Sequence, residues 1–160
     1  MQRLYSEGND MDMLDIRSLV PHAGPMVLLD RVISVDADNL CAEVTIGSDS
    51  LFCGSDGVGG WVGIEYMAQA IAAHAGYAAR LRGEPVKIGF LLGSRRYECS
   101  RPMFEVGSVL RIHVQRILFG ENGLGSFEGR IDDRDGQVAS ATITIFQPEN
   151  ANEFLEERME

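Results

Sequence analysis

The sequence predicts an α+β domain in which one long helix is wrapped by a curved antiparallel sheet, and three observations point to it. From Trp61 to Arg82 only Gly63 and Gly76 interrupt an alanine-dense stretch, with Ile64, Met67, Ala68, Ile71, Ala72 and Ala75 at helical spacing. The positions between them are also alanine, tyrosine and isoleucine, so this helix is apolar nearly all round and has to be buried on most of its faces. Two strand-like stretches precede it and four or five follow. A single sheet curling round a single helix is the simplest arrangement that buries it.

Taken in order, the first ten residues are polar and read as a frayed end. MDMLDIRSLV gives one or two turns of helix, stopped by PHAGP, whose prolines and glycine forbid a regular element. MVLLDRVISVDADNLCAEVTI follows as two strands around a polar turn at 36–39. Residues 47–60 are glycine-rich and aperiodic, and read as a loop. Gly83, Glu84 and Pro85 end the long helix. Then VKIGFLLG, YECSRPMF, SVLRIHVQRILF, LGSFEGRID and QVASATITIF alternate or run apolar, with turns at GENG and DRDG. The tail NANEFLEERME is a short helix or a flexible end. Residues 1–160 thus read as one domain, with a core at 14–147 and flexible ends at 1–10 and 149–160.

Composition narrows the function. The chain is 45% apolar and 24% charged, ordinary for a soluble globular protein. No apolar run approaches the ~20 residues of a membrane span. MQRLYSEGNDMDMLDI lacks the charged-then-apolar order of a secretory signal. Cys41, Cys53 and Cys99 are odd in number and widely spaced, without a C-x-x-C pair, which points to reduced thiols, a cytoplasmic location and no structural metal. A net charge of −10 argues against general nucleic-acid binding. Arg80, Arg82, Lys87, Arg95, Arg96 and Arg101 nevertheless face only Glu84 and Glu98 in their stretch, a local basic patch suited to steering an acidic partner.

One residue is out of place. Glu65 sits in GGWVGIEYMAQA, a run otherwise made of glycine, alanine, aliphatic, aromatic and thioether side chains. Ionised and unpaired in a core, it would cost several kcal/mol or take up a proton, so it lies at a surface or does chemistry. Around it the sequence resembles a known family. PHAGPMVLLDRV at 21–32, GIEYMAQA at 63–70 and RRYECSRPMFEVGSVL at 95–110 are similar to the "P-H-R-x-P-F-L-L-V-D-R-V", "L-E-A-M-A-Q" and "A-R-F-K-R-P-V-x-P-G-D-x-L" segments of bacterial β-hydroxyacyl-ACP dehydratases. They come in the family's order at nearly its spacing, across most of 19–146. The architecture is then that family's hotdog fold, and the Pro-His-Ala-Gly-Pro variant looks closest to a subgroup associated with aryl polyene pigment clusters. The resemblance implies dehydration of 3-hydroxyacyl-ACP to 2-enoyl-ACP, in fatty-acid or polyene-type biosynthesis and without a cofactor. It also implies an acyl carrier protein as partner and a homodimer or a heterodimer with another hotdog subunit.

In that family the motif glutamate, which aligns with Glu65, is half of the catalytic pair. The other half is a histidine in a "G-H-F-P" loop. Here FCGSDGVGGW keeps Gly54 but places Ser55 where the histidine belongs, in a loop about four residues shorter. Three histidines remain. His74 lies nine residues beyond Glu65, ~13 Å along a helix, too far to pair with it within one chain. His113 is mid-strand and reads as a surface or packed residue. His22 lies in an irregular segment that the resemblance puts along the acyl tunnel near the helix start, and it is the candidate partner of Glu65. Asp56, in the shortened loop, comes second, since turn chemistry also accounts for it.

Dehydration needs a base for the C2 proton and an acid for the departing hydroxyl. A histidine suits the first role at an unperturbed pKa of about 6.5, and a carboxyl buried in apolar surroundings suits the second. Gly59 and Gly60 allow close substrate approach to free N–H groups at the helix start, where charge on the thioester oxygen is stabilised. Trp61 beside them is a further candidate contact, although such residues more often pack in cores or interfaces. Gln69, one turn after Glu65, supports it by hydrogen bonding. Arg95, Arg96 and Arg101 form the docking patch for the carrier protein, with a structural role also open to Arg101. Two alternatives stay open. One is a hotdog thioesterase, whose carboxylate activates water without a histidine. The other is a non-catalytic subunit that binds acyl-ACP or completes a dehydratase heterodimer.

Overall fold

A computed structural model describes residues 15–22, 24–86 and 89–148, leaving the ends expected to be flexible outside the described residues. α1 is a single turn, Ile16–Leu19, opened by the Asp15 carboxylate accepting from the Arg17 N–H at 3.1 Å. β1 (Arg31–Val35) and β2 (Asn39–Thr45) form a hairpin whose turn is closed by Asp36, accepting from the N–H groups of Asp38 and Asn39. A short β3 (Gly57–Gly59) and a 3₁₀ turn (Gly60–Val62) lead into the long helix α2 (Gly63–Leu81). β4 (Phe90–Cys99), β5 (Met103–Glu105), β6 (Val109–Phe119), β7 (Leu124–Asp133) and β8 (Gly136–Phe146) complete the elements among the described residues.

Six strands form one antiparallel sheet in the order β1-β2-β6-β7-β8-β4, while β3 and β5 pair separately. α2 touches β2, β4, β6, β7 and β8, so the sheet wraps it as its apolar surface demands. Tyr66, Met67, Ile71 and Tyr77 of the helix meet Leu40, Leu110, Ile112, Phe127, Ile131 and Ile143 of the sheet, all of them fully buried. Burial alternates along the first half of β6 and along most of β7 and β8, while the end of β6 leaves Ile117, Leu118 and Phe119 exposed. The helix seats closely on β7 at Gly129, where a Cβ would come within 2.7 Å of the Met67 sulfur.

One stripe of α2 stays uncovered. Between Gly63 and Ala79 the only residues not buried are Ile64, Glu65, Ala68, Ala72, Ala75 and Ala78, which fall on one helical face. Two expectations change. The stretch 47–60 is not wholly loop, because its end pairs with β5. VKIGFLLG and YECSRPMF do not give separate strands: β4 runs through both, leaves the sheet after Cys99 and resumes as β5 beyond Pro102, which has no N–H to donate.

His74, 3% exposed, ties α2 to the β1–β2 turn, its Nε2 donating to the Ala37 and Asp36 carbonyls at 3.0 and 3.2 Å. Burial pushes its pKa below the ordinary value, so the native ring is neutral. As pH falls below about 6.5 the unfolded chain binds a proton that the folded ring refuses, and stability drops by up to ~1.4 kcal/mol per pH unit. His113, also pushed down by burial, acts in the same window. Thermal unfolding between pH 7.5 and 5 should therefore show a falling Tm. His74→Gln, which can still donate but does not titrate, should flatten that fall; an unchanged slope would remove His74 as its source.

Candidate active site

Glu65 lies in the first turn of α2, on the uncovered stripe. His22 reaches it from the irregular segment between α1 and β1, with its Nε2 3.8 Å from Glu65 Oε1. The two side chains are 28% and 39% exposed, so Glu65 is not the buried carboxyl expected from its apolar neighbours. Tyr66 and Met67 point around the helix into the core, whereas Glu65 points out along the stripe with Ile64 and Ala68.

Gln69 fixes this geometry. Completely buried, it donates from Nε2 to the Met26 carbonyl at 2.7 Å and accepts the Leu28 N–H on Oε1 at 2.9 Å. Its Nε2 also lies 3.4 Å from Glu65 Oε1. An amide nitrogen carries two hydrogens, so one side chain pins the segment following His22 and steadies Glu65. His22 and Gln69 both approach Oε1, and Glu65 Oε2 has no hydrogen-bond partner among the described residues. Neither has His22 Nδ1, which is buried.

The pair opens on a cavity of about 220 Å³, walled by Ala68, Ala72 and Ala75 of the stripe and by Gly89 and Ile145 opposite. A larger depression, of about 530 Å³ beside β5 and β6, contains neither residue, and the chemistry points to the smaller one. His22 and Glu65 beside walls that are mostly small and aliphatic, with Gln147 also in the lining, suit a molecule with a reactive head and an apolar chain. Among the described residues no cluster of histidine, cysteine, aspartate or glutamate is arranged to hold a metal.

The structure brings His22, Glu65 and Gln69 together and leaves the other candidates outside the cavity. Gln69 cannot contact a substrate, because it is enclosed and its amide is engaged. Gly60 is buried under the Arg101 carbonyl, which holds the space a Cβ would need and closes that route to a substrate. The corresponding space at Gly59 is held by the Trp61 indole. Trp61 itself is 66% exposed and packs on Phe52, ring centroids 5.7 Å apart. Asp56 is exposed in the turn before β3, its carbonyl accepting from the Val106 N–H. Arg101 is held by Asp133 at 3.2 Å and Asp135 at 3.0 Å and braces the β7–β8 turn. Arg95 and Arg96 are exposed and have no ion pair among the described residues. His113 lies on the outer face of the sheet beside Asp132, at 3.3 Å. Nothing in the sequence marks Tyr97, whose hydroxyl donates to the Gly60 carbonyl at the helix start.

Comparison with known proteins gives matches of both sequence and fold. Residues 14–156 match the model of the ApeP-like family, described as ApeP dehydratase. A 3-hydroxyacyl-[acyl-carrier-protein] dehydratase, FabZ, of Geotalea uraniireducens (strain Rf4) is 28% identical over 126 residues, 75% of this chain and 85% of the relative. The dehydratase heterocomplex ApeI:P from Xenorhabdus doucetiae superposes with a TM-score of 0.85 at 36% identity, over 92% of this chain and 99% of that one. A hypothetical thioesterase with coenzyme A from Streptococcus pneumoniae TIGR4, at 14% identity and TM-score 0.58 over 72% of this chain and 83% of its own, shares the fold alone.

Replacing Gln69 by leucine keeps its bulk but leaves the Met26 carbonyl and the Leu28 N–H without partners. Denaturant unfolding of Gln69→Leu should show a loss of about 2–4 kcal/mol. Amide exchange should accelerate at 24–28 more than in β6 or β7. A loss below ~1 kcal/mol would mean that the clamp is not a stabilising contact.

Proposed function

Because the chain belongs to the ApeP-like dehydratase family, we propose that it removes water from a 3-hydroxyacyl thioester carried on an acyl carrier protein, with His22 as base and Glu65 as acid. The observation that carries this reading is the approach of His22 Nε2 to Glu65 Oε1, 3.8 Å apart within one chain, at the mouth of an apolar cavity. Neutral His22 takes the C2 proton on Nε2. Once a bound acyl chain shields it from water and favours its protonated form, Glu65 gives its proton to the C3 hydroxyl, the C3–O bond breaks to release water, and the electrons of the C2–H bond form the double bond. The pair is left as imidazolium and carboxylate. Closing by roughly 1 Å brings the two to hydrogen-bonding distance, so that the proton passes back and the site is reset. With Oε1 facing His22 and Gln69, Oε2 is the oxygen that addresses the hydroxyl, and a half-turn of the carboxyl about its Cγ–Cδ bond carries the returned proton to that position.

Two observations support partners. β4 ends the sheet with one edge unpaired among the described strands, and a similar chain forms part of a dehydratase heterocomplex, so a second hotdog subunit is the expected neighbour. Arg95 and Arg96 lie exposed on that edge strand with no ion pair among the described residues, cations in place for the acidic carrier protein. The same heterocomplex favours a second reading, in which this chain is the supporting subunit and its partner carries the chemistry.

The test is to incubate the protein, alone and with a cognate hotdog subunit, with 3-hydroxyacyl-ACP or enoyl-ACP and follow intact mass. Interconversion by one water should fall by a factor of about 100 or more in Glu65→Gln and in His22→Ala. Turnover that survives His22→Ala would move the base elsewhere, and release of free carrier protein would make this a thioesterase. Turnover only with the partner, indifferent to Glu65→Gln, would establish the supporting role. For docking, Arg95→Glu with Arg96→Glu should raise KM for the carrier-linked substrate about tenfold while sparing the pantetheine-linked one, and should weaken the salt dependence. Equal effects on both substrates would place these arginines outside carrier recognition.

A further inference from the structure

β4 does not keep its alternation. Arg95 faces Thr142 and Glu98 faces Ser140, so the strand takes three steps where β8 takes two. The extra residue makes a bulge. Within it Arg96 adopts φ +55°, the left-handed region that favours glycine and that other residues hold only when their surroundings enforce it. A one-residue slip transfers every later side chain to the opposite face. Arg95 and Arg96 accordingly both face solvent, and Tyr97 and Cys99 turn inward, half-buried, where regular alternation from Arg95 would have left them outside.

Inward lies the start of α2. The Tyr97 hydroxyl donates to the Gly60 carbonyl, which also accepts the Gly63 N–H that closes the 3₁₀ turn. The same hydroxyl occupies the place where a Cβ at Gly63 would stand. Neither the 3₁₀ turn nor the helix after it has a side-chain cap of its own, and an uncapped start frays. Glu65 follows two residues after Gly63. We infer that Tyr97 is a positioning residue, swung inward by the β4 bulge to fix the first turn of α2 and so the direction of the Glu65 carboxylate. Burial raises the phenol pKa well above its usual range, which keeps the donor protonated at any working pH.

The kinetic test rests on the dehydratase reading, so it is paired with one that does not. Tyr97→Phe removes only the hydroxyl. With 3-hydroxyacyl-ACP as substrate and any required hotdog partner present, kcat should fall about tenfold with KM changed less than twofold, because the acid is misdirected and binding is not. Amide exchange at 61–65 should speed up while β6 and β7 keep their protection. Unchanged kcat with unchanged exchange overturns the inference. So does a loss of protection spread over the whole chain, with kcat and KM moving together, which would make Tyr97 a general packing residue. If the wild type turns nothing over, the dehydratase reading fails separately, and the exchange arm decides: acceleration confined to 61–65 upholds the tether, and none removes it.

Discussion

A helix that is apolar on nearly every side cannot be half-covered, and the rest of this molecule follows from that constraint. The sheet bends round α2 until Tyr66, Met67, Ile71 and Tyr77 are all enclosed, bringing strands as far apart in sequence as β2 and β8 to the same helix. What the sheet does not reach is the stripe from Glu65 through Ala68, Ala72 and Ala75. Alanine can be left there at small cost, because little apolar surface stays in water. A carboxylate can be left there because water reaches it. The uncovered stripe and the candidate site are therefore one feature, and the cavity is the space between a helix face of small side chains and the ends of the surrounding elements.

The site's geometry depends on holding an irregular segment against that helix. Residues 20–30 have few ladder bonds of their own, and the N–H of Leu28 and the carbonyl of Met26 find their partner on Gln69. Burying an amide is unfavourable unless every polar atom is matched, and here the match sets the register of segment against helix. His22 therefore comes to Glu65 through a contact that stabilises the fold.

Much of the fold was legible because it is written in period. Helical spacing of apolar residues over 61–82 and alternation in the later strands depend only on which face is buried, and a single buried helix left few ways to arrange the strands. Glu65 stood out as a charge in an apolar run, and His22 as a histidine in a segment without regular structure. What the sequence concealed depends on contacts between distant residues. The short pairing of β3 with β5 joins segments more than forty residues apart. The full burial of Gln69 is not visible from a position one turn beyond a charged residue. Gly59 and Gly60 read as room for a substrate, but that room is taken by the Trp61 indole and the Arg101 carbonyl. The fate of Arg101 is set by Asp133 and Asp135 on a turn that sequence proximity does not reveal. The face that Tyr97 takes depends on two one-residue slips in β4, between Leu91 and Gly93 and between Arg95 and Glu98, which periodicity alone does not locate.

The missing loop histidine can now be weighed against the structure. Gly54 and Gly57 close the shortened loop by a hydrogen bond of 2.8 Å, and the two residues between them, Ser55 and Asp56, project into solvent. A histidine at Ser55 would stand on that exposed turn, which does not line the cavity, so restoring the residue would not by itself restore the base. On the proposed dehydratase reading, a base within this chain is supplied by another element. His74 is enclosed, neutral and bound to backbone carbonyls. His113 lies on the outer face of the sheet, with Asp132. His22 alone of the three faces the cavity and Glu65 together. The loop that carries the family's histidine packs its glycines under β4 and β5 here, and the proposed base sits instead on the segment ahead of β1, which Gln69 holds.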